Sequence, residues 1–292
     1  MKVNNILETL TKLNLVSEQT KMVFSHRTRD IDGLTVYRDS VSGVIFIEEY
    51  YDENVYETGD YREQDKIIDA TPSYERIVDA ERRFNDYLKY LSNKDILDFG
   101  CGAGDFLKKA AEKAKTVKGI ELQTDYIEQL NNAGITCVND IHLVEDNSLD
   151  VIFSFHVIEH LPEPIAILEL LKSKLRKGGL LIIEVPHAKD FLLMNDNCES
   201  FKNFTLWSQH LILHTRESLN KLLNFCGYEN VIIKGYQRYP LSNHINWLIN
   251  GKPGGHKGAF AFFENDDLIH VYESALSSVD MNDTLVAISI KQ

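Results

Sequence analysis

Between Ile96 and Leu107 the chain reads Ile-Leu-Asp-Phe-Gly-Cys-Gly-Ala-Gly-Asp-Phe-Leu, with glycines at alternate positions directly after an apolar run. Glycine at the end of a strand lets the backbone turn with positive φ and lets a ligand come close to the main chain. Gly100, Cys101, Gly102 and Gly104, with Asp98 ahead of them, form a candidate ligand loop. Glu121, followed by Leu122, closes the next apolar run, and a carboxylate there accepts hydrogen bonds from both hydroxyls of a ribose. Asp140 and Ile141 close a third, where the acid can accept from an adenine amino group while the isoleucine packs on the ring. Together these residues are suited to an adenosine-bearing cofactor. Dinucleotide-binding folds share such turns, but their G-x-G-x-x-G spacing is replaced here by D-x-G-x-G-x-G, and no second nucleotide half is visible.

Histidines supply a second kind of chemistry, since imidazole accepts a proton near neutral pH. His156 and His160 lie in Phe155-His156-Val157-Ile158-Glu159-His160-Leu161, His187 follows Glu184-Val185-Pro186, and His210 and His214 follow Trp207. His160, His187 and His210 are the candidate bases. A third set lies in a stretch without acids from 230 to 263, where Lys234, Arg238, Lys252 and Lys257 make a positive island in an acidic chain. An arginine beside the amides of a Gly-Gly turn is an anion trap. Arg238, Tyr239, Asn243, His244, His256 and Lys257 are therefore expected to hold a small acceptor bearing phosphate or carboxylate. The alternative for this segment is packing against a second subunit in a homodimer. The four cysteines include no C-x-x-C pair, no ligand spacing is diagnostic, and no metal is assigned.

The elements that must position these groups alternate. Strands are expected at 95–99, 116–122, 136–138, 151–155, 180–185, 231–234 and 283–290, with helices at 106–114, 124–133, 164–175 and 216–225. An amphipathic helix from Ser73 to Leu91 leads in. Such alternation implies an α/β fold with a mostly parallel sheet and helices on both faces. Residues 1–72 read as an N-terminal extension with a weak helix at 4–16 and a strand at 44–47. Its Glu48–Asp65 stretch, with eight acids and four tyrosines, is a candidate lid. Residues 73–292 read as the main domain, with a substrate-binding insertion at 235–282.

The ordered set Asp98…Gly100-x-Gly-x-Gly…Glu121…Asp140…Glu159-His160-Leu161…Gly178-Gly179 resembles the class I S-adenosylmethionine (SAM)-dependent methyltransferases. The resemblance covers residues 73–234. It implies a Rossmann-like seven-stranded sheet with an antiparallel last strand. It further implies that Asp98 and the glycines line the methionine end of SAM, Glu121 binds the ribose, and Asp140 with Ile141 holds the adenine. Phe155 and His156 would lie near the sulfonium. The Trp207–Thr215 segment resembles one found in methyltransferases of sugar and cell-surface polysaccharide pathways. The expectation is O-methylation of a small anionic acceptor such as a sugar, nucleotide-sugar or phosphorylated metabolite. N- or C-methylation, a non-catalytic SAM-binding protein and a nicotinamide oxidoreductase stand as alternatives.

Composition narrows the partners. With 44 acids against 31 bases the net charge is −13, which repels nucleic-acid phosphates and anionic membranes at long range. No apolar run reaches the roughly 18 residues of a membrane helix, and the first residues lack a signal-peptide core, so a cytoplasmic location is expected.

Overall fold

The structure, a computed structural model, describes residues 4–48, 50–52, 55, 74–195 and 197–292. In chain order it begins with α1 (Ile6–Lys12), β1 (Lys21–Arg27), β2 (Asp32–Asp39), β3 (Ile45–Ile47) and α2 (Tyr74–Leu91). Alternating units follow: β4 (Asp95–Phe99), α3 (Asp105–Ala110), β5 (Thr116–Ile120), α4 (Thr124–Asn132), β6 (Thr136–Val138), β7 (Leu149–Phe155), α5 (Pro164–Lys174) and β8 (Leu175–Pro186). The chain closes with α6 (Glu199–Thr205), β9 (Ile212–Leu213), α7 (Arg216–Phe225), β10 (Tyr228–Tyr236), α8 (Leu241–Asn250), α9 (Asp266–Ser278) and β11 (Thr284–Lys291).

The main sheet has seven strands in the order β10-β11-β8-β7-β4-β5-β6. Its five strands from β4 to β8 are parallel, and β11 runs antiparallel to both β8 and β10. This is the expected fold class. Parallel strands covered on both faces read as continuous apolar runs, and Ile96, Leu97, Ile152, Phe153, Leu181, Ile182 and Ile183 are all fully buried. Register aligns the carboxyl ends: Phe99 pairs with Ile120, Ile120 with Val138, and Phe155 with Glu184. The loops leaving these strands therefore meet along one rim, where open α/β sheets bind ligands.

Residues 4–48 form more than the single helix and strand expected. β1 and β2 make a hairpin that continues through β3 to β9, giving a four-stranded sheet in the order β1-β2-β3-β9. Polar residues interrupt β1 and β2, and β1 carries two register shifts, so neither strand shows clean alternation. The extension is knitted into the main body: Ile6, Leu10 and Phe46 share one core with Leu97, Ile152 and Leu181. The candidate lid falls largely outside the described residues; Glu48, Tyr50, Tyr51, Asp52 and Val55 are its described part.

The insertion between β10 and β11 is helical. Asn243, His244 and Trp247 on α8 are buried, and a Cβ on Gly255 would stand 1.9 Å from the Ser242 carbonyl oxygen, so only glycine fits there. Among the described residues no helix is long and apolar enough to cross a membrane.

Candidate active site

The carboxyl-end rim encloses a cavity of about 640 Å³ lined from β4 through the turn after β7, with contributions from α2, Tyr51, Trp207 and Arg238. The loop after β4 turns back onto β5, with the N–H groups of Gly100 and Cys101 both donating to the Ile120 carbonyl (2.8 and 3.0 Å). Gly100, Gly102 and Gly104 have φ of +79°, +54° and +71°, a region that side chains disfavour. A Cβ on Gly100 would meet Val157 at 2.4 Å. Gly100, Cys101 and Gly102 line the cavity; Gly104 does not, and its bare Cα lets α4 come close, since a Cβ would meet Leu130 at 2.3 Å.

Glu121 is locked in place. Its Oε2 accepts from Gly102 N–H (2.8 Å) and its Oε1 from the N–H groups of Leu122 and Gln123 (2.8 and 3.0 Å). Leu122, exposed Asp140 and buried Ile141 complete that end. Asp98 is buried with Oδ1 lacking any hydrogen-bond partner among the described residues. Burial pushes its carboxyl up to about 7, against the lowering pull of Arg83.

Sequence reasoning missed the floor beneath this end. Glu184, fully buried on β8, accepts from Arg82 twice (2.9 and 2.8 Å), from Arg83 (2.9 Å) and from the Tyr87 hydroxyl (2.7 Å). Burial alone would raise its carboxyl, but Arg83 and Arg82 hold it well below the usual carboxylate range. The pair clamps α2 to the sheet and lays the Arg83 guanidinium 4.2 Å from the centre of the Phe155 ring. The available signals were an acid inside an apolar strand and adjacent arginines on an amphipathic helix. Arg76, Asp79 and Arg83 also line the cavity and were not singled out.

At the far end, His156 lines the cavity with φ of +56°, a strained value for a side-chain-bearing residue, and its N–H donates to the Glu184 carbonyl (2.8 Å). The turn after β7 then buries Glu159 completely, with neither carboxylate oxygen hydrogen-bonded among the described residues. His156 Nδ1 stands 3.5 Å and His160 Nε2 3.9 Å from its Oε1. Burial would raise this carboxyl, yet His160, His156 and His210 bring it down to about 2. His160 lines the cavity, packs edge-on to Trp207, and donates from Nδ1 to the Gln209 carbonyl (2.8 Å). His210 lies beside it, ring centres 5.1 Å apart, with Nδ1 on the Thr205 carbonyl (3.1 Å).

The structure does not bring every candidate here. His187 is buried away from the cavity lining, its Nδ1 on the Asn282 carbonyl (3.0 Å), and its backbone bridges to His214. Of the six residues chosen for the insertion, Arg238 alone lines the cavity. Its guanidinium is paired with buried Asp79 through both carboxylate oxygens. Asn243 takes the Gly254 N–H (2.8 Å), His244 bonds the Tyr272 hydroxyl (2.6 Å), and His256 and Lys257 face Glu75. Tyr239 packs by Arg238, 5.3 Å from guanidinium carbon to ring centre. The positive island thus faces acids of α2, and its Gly-Gly turn is folded against α8. Sequence composition registers the missing acids within 230–263 but not the ones that α2 delivers from outside.

Comparison with known proteins agrees with this layout. A family model described as a methyltransferase domain matches residues 74–232, more than half of the chain. A tRNA U34 carboxymethyltransferase of Alteromonas mediterranea is 28% identical over 168 residues, covering 51% of this chain and 49% of that protein. The chain therefore spans about half the length of that relative. A ubiquinone biosynthesis O-methyltransferase of Actinobacillus pleuropneumoniae is 25% identical over 195 residues, covering 56% of this chain and 80% of that protein. Neither relative is a polysaccharide enzyme by name. Among solved structures, a SAM-dependent methyltransferase from Archaeoglobus fulgidus superposes with a TM-score of 0.51 at 20% identity, covering 74% of this chain and 94% of that one. Magnesium protoporphyrin IX methyltransferase from Synechocystis gives 0.51 at 11% identity over 82% and 98%. At these identities the two structures speak for the Rossmann-like fold alone. With its seven-stranded sheet, its glycine loop and a domain match spanning α2 to β10, the chain belongs to the methyltransferase-domain family.

Proposed function

We propose that the protein is a SAM-dependent methyltransferase that acts on a hydroxyl of a small acceptor. The carrying observation is the cavity, which joins the Asp98–glycine loop, the anchored Glu121 and the Glu159–histidine cluster in one continuous space of about 640 Å³, within the roughly 300–1,000 Å³ usual for cofactor sites. The residues fit the cofactor. A buried Asp98 oxygen without a hydrogen bond among the described residues suits its ammonium group, and Oε2 of Glu121, with one N–H on it among those residues, keeps capacity for a ribose hydroxyl. Asp140 and Ile141 then take the adenine. When bound, SAM supplies an activated methyl group on a sulfonium.

The protein's part is alignment and proton management. Phe155, with Arg83 across its face, and His156 shape the wall at the transferring group. Trp207, Leu161, His160 and Tyr51 line the acceptor end. With the methyl group supplied by bound SAM, the proton released from the acceptor hydroxyl would pass to an imidazole of this end. His160 and His156 occupy that position, with Glu159 behind them. An O-methyltransferase among the relatives supports oxygen as the methylated atom. A tRNA acceptor is disfavoured by the net charge of −13.

The proposal retains a phosphorylated or carboxylated acceptor, including sugars of polysaccharide pathways, with Arg238 as its contact. That finer reading requires Arg238 to divide itself between Asp79 and the ligand. The test is calorimetric titration with S-adenosylhomocysteine and, separately, NADH, followed by labelled-methyl transfer to hydroxylated acceptors. Saturable S-adenosylhomocysteine binding with no NADH binding is expected; the reverse would overturn the proposal.

A further inference from the structure

We propose that Glu159, His160 and His210 form a binding site for a divalent transition-metal ion of the zinc or cobalt kind. The sequence offered no ligand spacing, because the donors come from two segments about fifty residues apart. Folding brings one ligand atom from each residue within 4.8 Å of the others. The segments are tied directly, since Leu211 N–H donates to the Glu159 carbonyl (2.9 Å).

Three features point to a metal rather than to a packed polar cluster. First, both rings are set by backbone carbonyls: His160 Nδ1–H on Gln209 (2.8 Å) and His210 Nδ1–H on Thr205 (3.1 Å). A second hydrogen bond from Nδ1 to a carbonyl is the usual way a metal-ligating histidine is oriented, with Nε2 left as the lone-pair nitrogen. Second, both oxygens of Glu159 are buried without a hydrogen bond among the described residues, and a buried carboxylate needs a cation or donors. His156 and His160 stand 3.5 and 3.9 Å from Glu159 Oε1, at ion-pair distance rather than in close hydrogen bonds. Third, two imidazoles and one carboxylate are the donor set of open catalytic zinc and related sites, whereas magnesium and calcium prefer all-oxygen ligands. Donors on one tetrahedral ion about 2.1 Å away lie about 3.4 Å apart, so the 3.9 Å between Glu159 and His160 closes by about half an ångström on binding, and a pair at the 4.8 Å limit by about 1.4 Å.

Three protein ligands leave a coordination position open. His160 lines the cavity, so that position faces the acceptor end and takes an acceptor oxygen; with the ion bound, both ring nitrogens of His160 are occupied and His156 is left to take the acceptor proton. The acceptor's placement rests on the methyltransferase reading above; binding of the ion does not.

The test uses the full chain, stripped with dipicolinate and titrated with Co²⁺ at neutral pH by visible absorption, then with Zn²⁺ in competition. One equivalent of Co²⁺ with d–d bands that Zn²⁺ abolishes is expected. His210→Ala and Glu159→Gln should weaken binding by at least about 100-fold, since even residues behind the ligands cost about 10–100-fold. His270→Ala, outside the cluster, should bind as the parent does. On the unaltered chain, Zn²⁺ should protect His160 and His210, but not His270, from diethyl pyrocarbonate, read by mass spectrometry. Absent bands, unchanged affinity in folded His210→Ala, or no protection would each overturn the proposal. S-adenosylhomocysteine is titrated into the same stripped samples. If it binds and Co²⁺ does not, the metal site alone fails; if Co²⁺ binds and it does not, the cofactor reading fails.

Discussion

Gly100→Ala probes the cofactor loop at its tightest point. The residue has φ of +79°, and a Cβ there would lie 2.4 Å from Val157 Cγ2. Two separate costs follow. A left-handed alanine costs about 1–2 kcal/mol, and overpacking against Val157 costs about 1–3 kcal/mol. The sum is about 2–5 kcal/mol. The obstructing atom belongs to a side chain, so Val157→Ala relieves the second cost and leaves the first. In a double-mutant cycle by urea denaturation the pair should therefore couple by about 1–3 kcal/mol. Both residues line the cavity, so any part of the strain that the loop escapes by moving must emerge as lost affinity, about tenfold per 1.4 kcal/mol. S-adenosylhomocysteine calorimetry on the same four proteins reads that share. Additive stabilities, together with parental stability and affinity in Gly100→Ala, would refute both the loop geometry and the cofactor's place against it.

Glu184→Ala strands Arg82 and Arg83 without their buried carboxylate and should cost about 3–5 kcal/mol in urea denaturation; a loss under about 1 kcal/mol would reduce the clamp to the worth of a surface pair. Burial opposes ionisation of Glu184 but Arg83 and Arg82 overcome it, so its folded carboxyl sits below the ordinary 4.5. Its stabilising share is therefore present above that pH and lost as the pH falls below it, and Glu184→Gln should flatten the acid limb of the stability profile. Asp98 has the opposite sign. Burial raises it from 3.8 to about 7 despite Arg83, so its ionisation opposes folding progressively between those values. Cationic cofactor favours the ionised form, so affinity should rise with pH up to about 7 and then level off, and Asp98→Asn should abolish that slope in calorimetry. Arg238→Ala should lower the unfolding midpoint, because buried Asp79 loses its bidentate partner. An unchanged midpoint with a raised acceptor KM would instead assign Arg238 wholly to the acceptor.

The cofactor half was legible because it is local. Each of its residues sits at the end of a short apolar strand, and the strand's own sequence carries the glycine or acid that does the work. Asp98 is one residue from its turn, and Glu121 is fixed by N–H groups of its own neighbours, Leu122 and Gln123. Parallel pairing then brings these ends together without further information. The substrate insertion was misleading for the converse reason. Its lack of acids is a property of residues 230–263, whereas its electrostatics are a property of what packs on it. Asp79 and Glu75 of α2 meet Arg238 and Lys257 from more than 150 residues away.

The same distinction explains why the acceptor end gives most of the new chemistry. Glu159 and His160 come from the turn after β7, while His210 and Trp207 come from the segment before β9. That segment is held where it is because β9 closes the sheet begun by β1, β2 and β3. The N-terminal extension therefore shapes the acceptor end through a strand pair, Phe46 with Ile212 and Ile45 with Leu213, and lines it with Tyr51. A change at Phe46 or Ile45 should then disturb His210 and Trp207 while leaving Asp98, Glu121 and Asp140 in register. Phe46→Ala, which empties a fully buried site at a cost of about 3–5 kcal/mol, should weaken Co²⁺ binding more than S-adenosylhomocysteine binding in the fraction that stays folded. Equal losses of the two ligands would mean that the sheet supports the domain as a whole and not the acceptor end in particular.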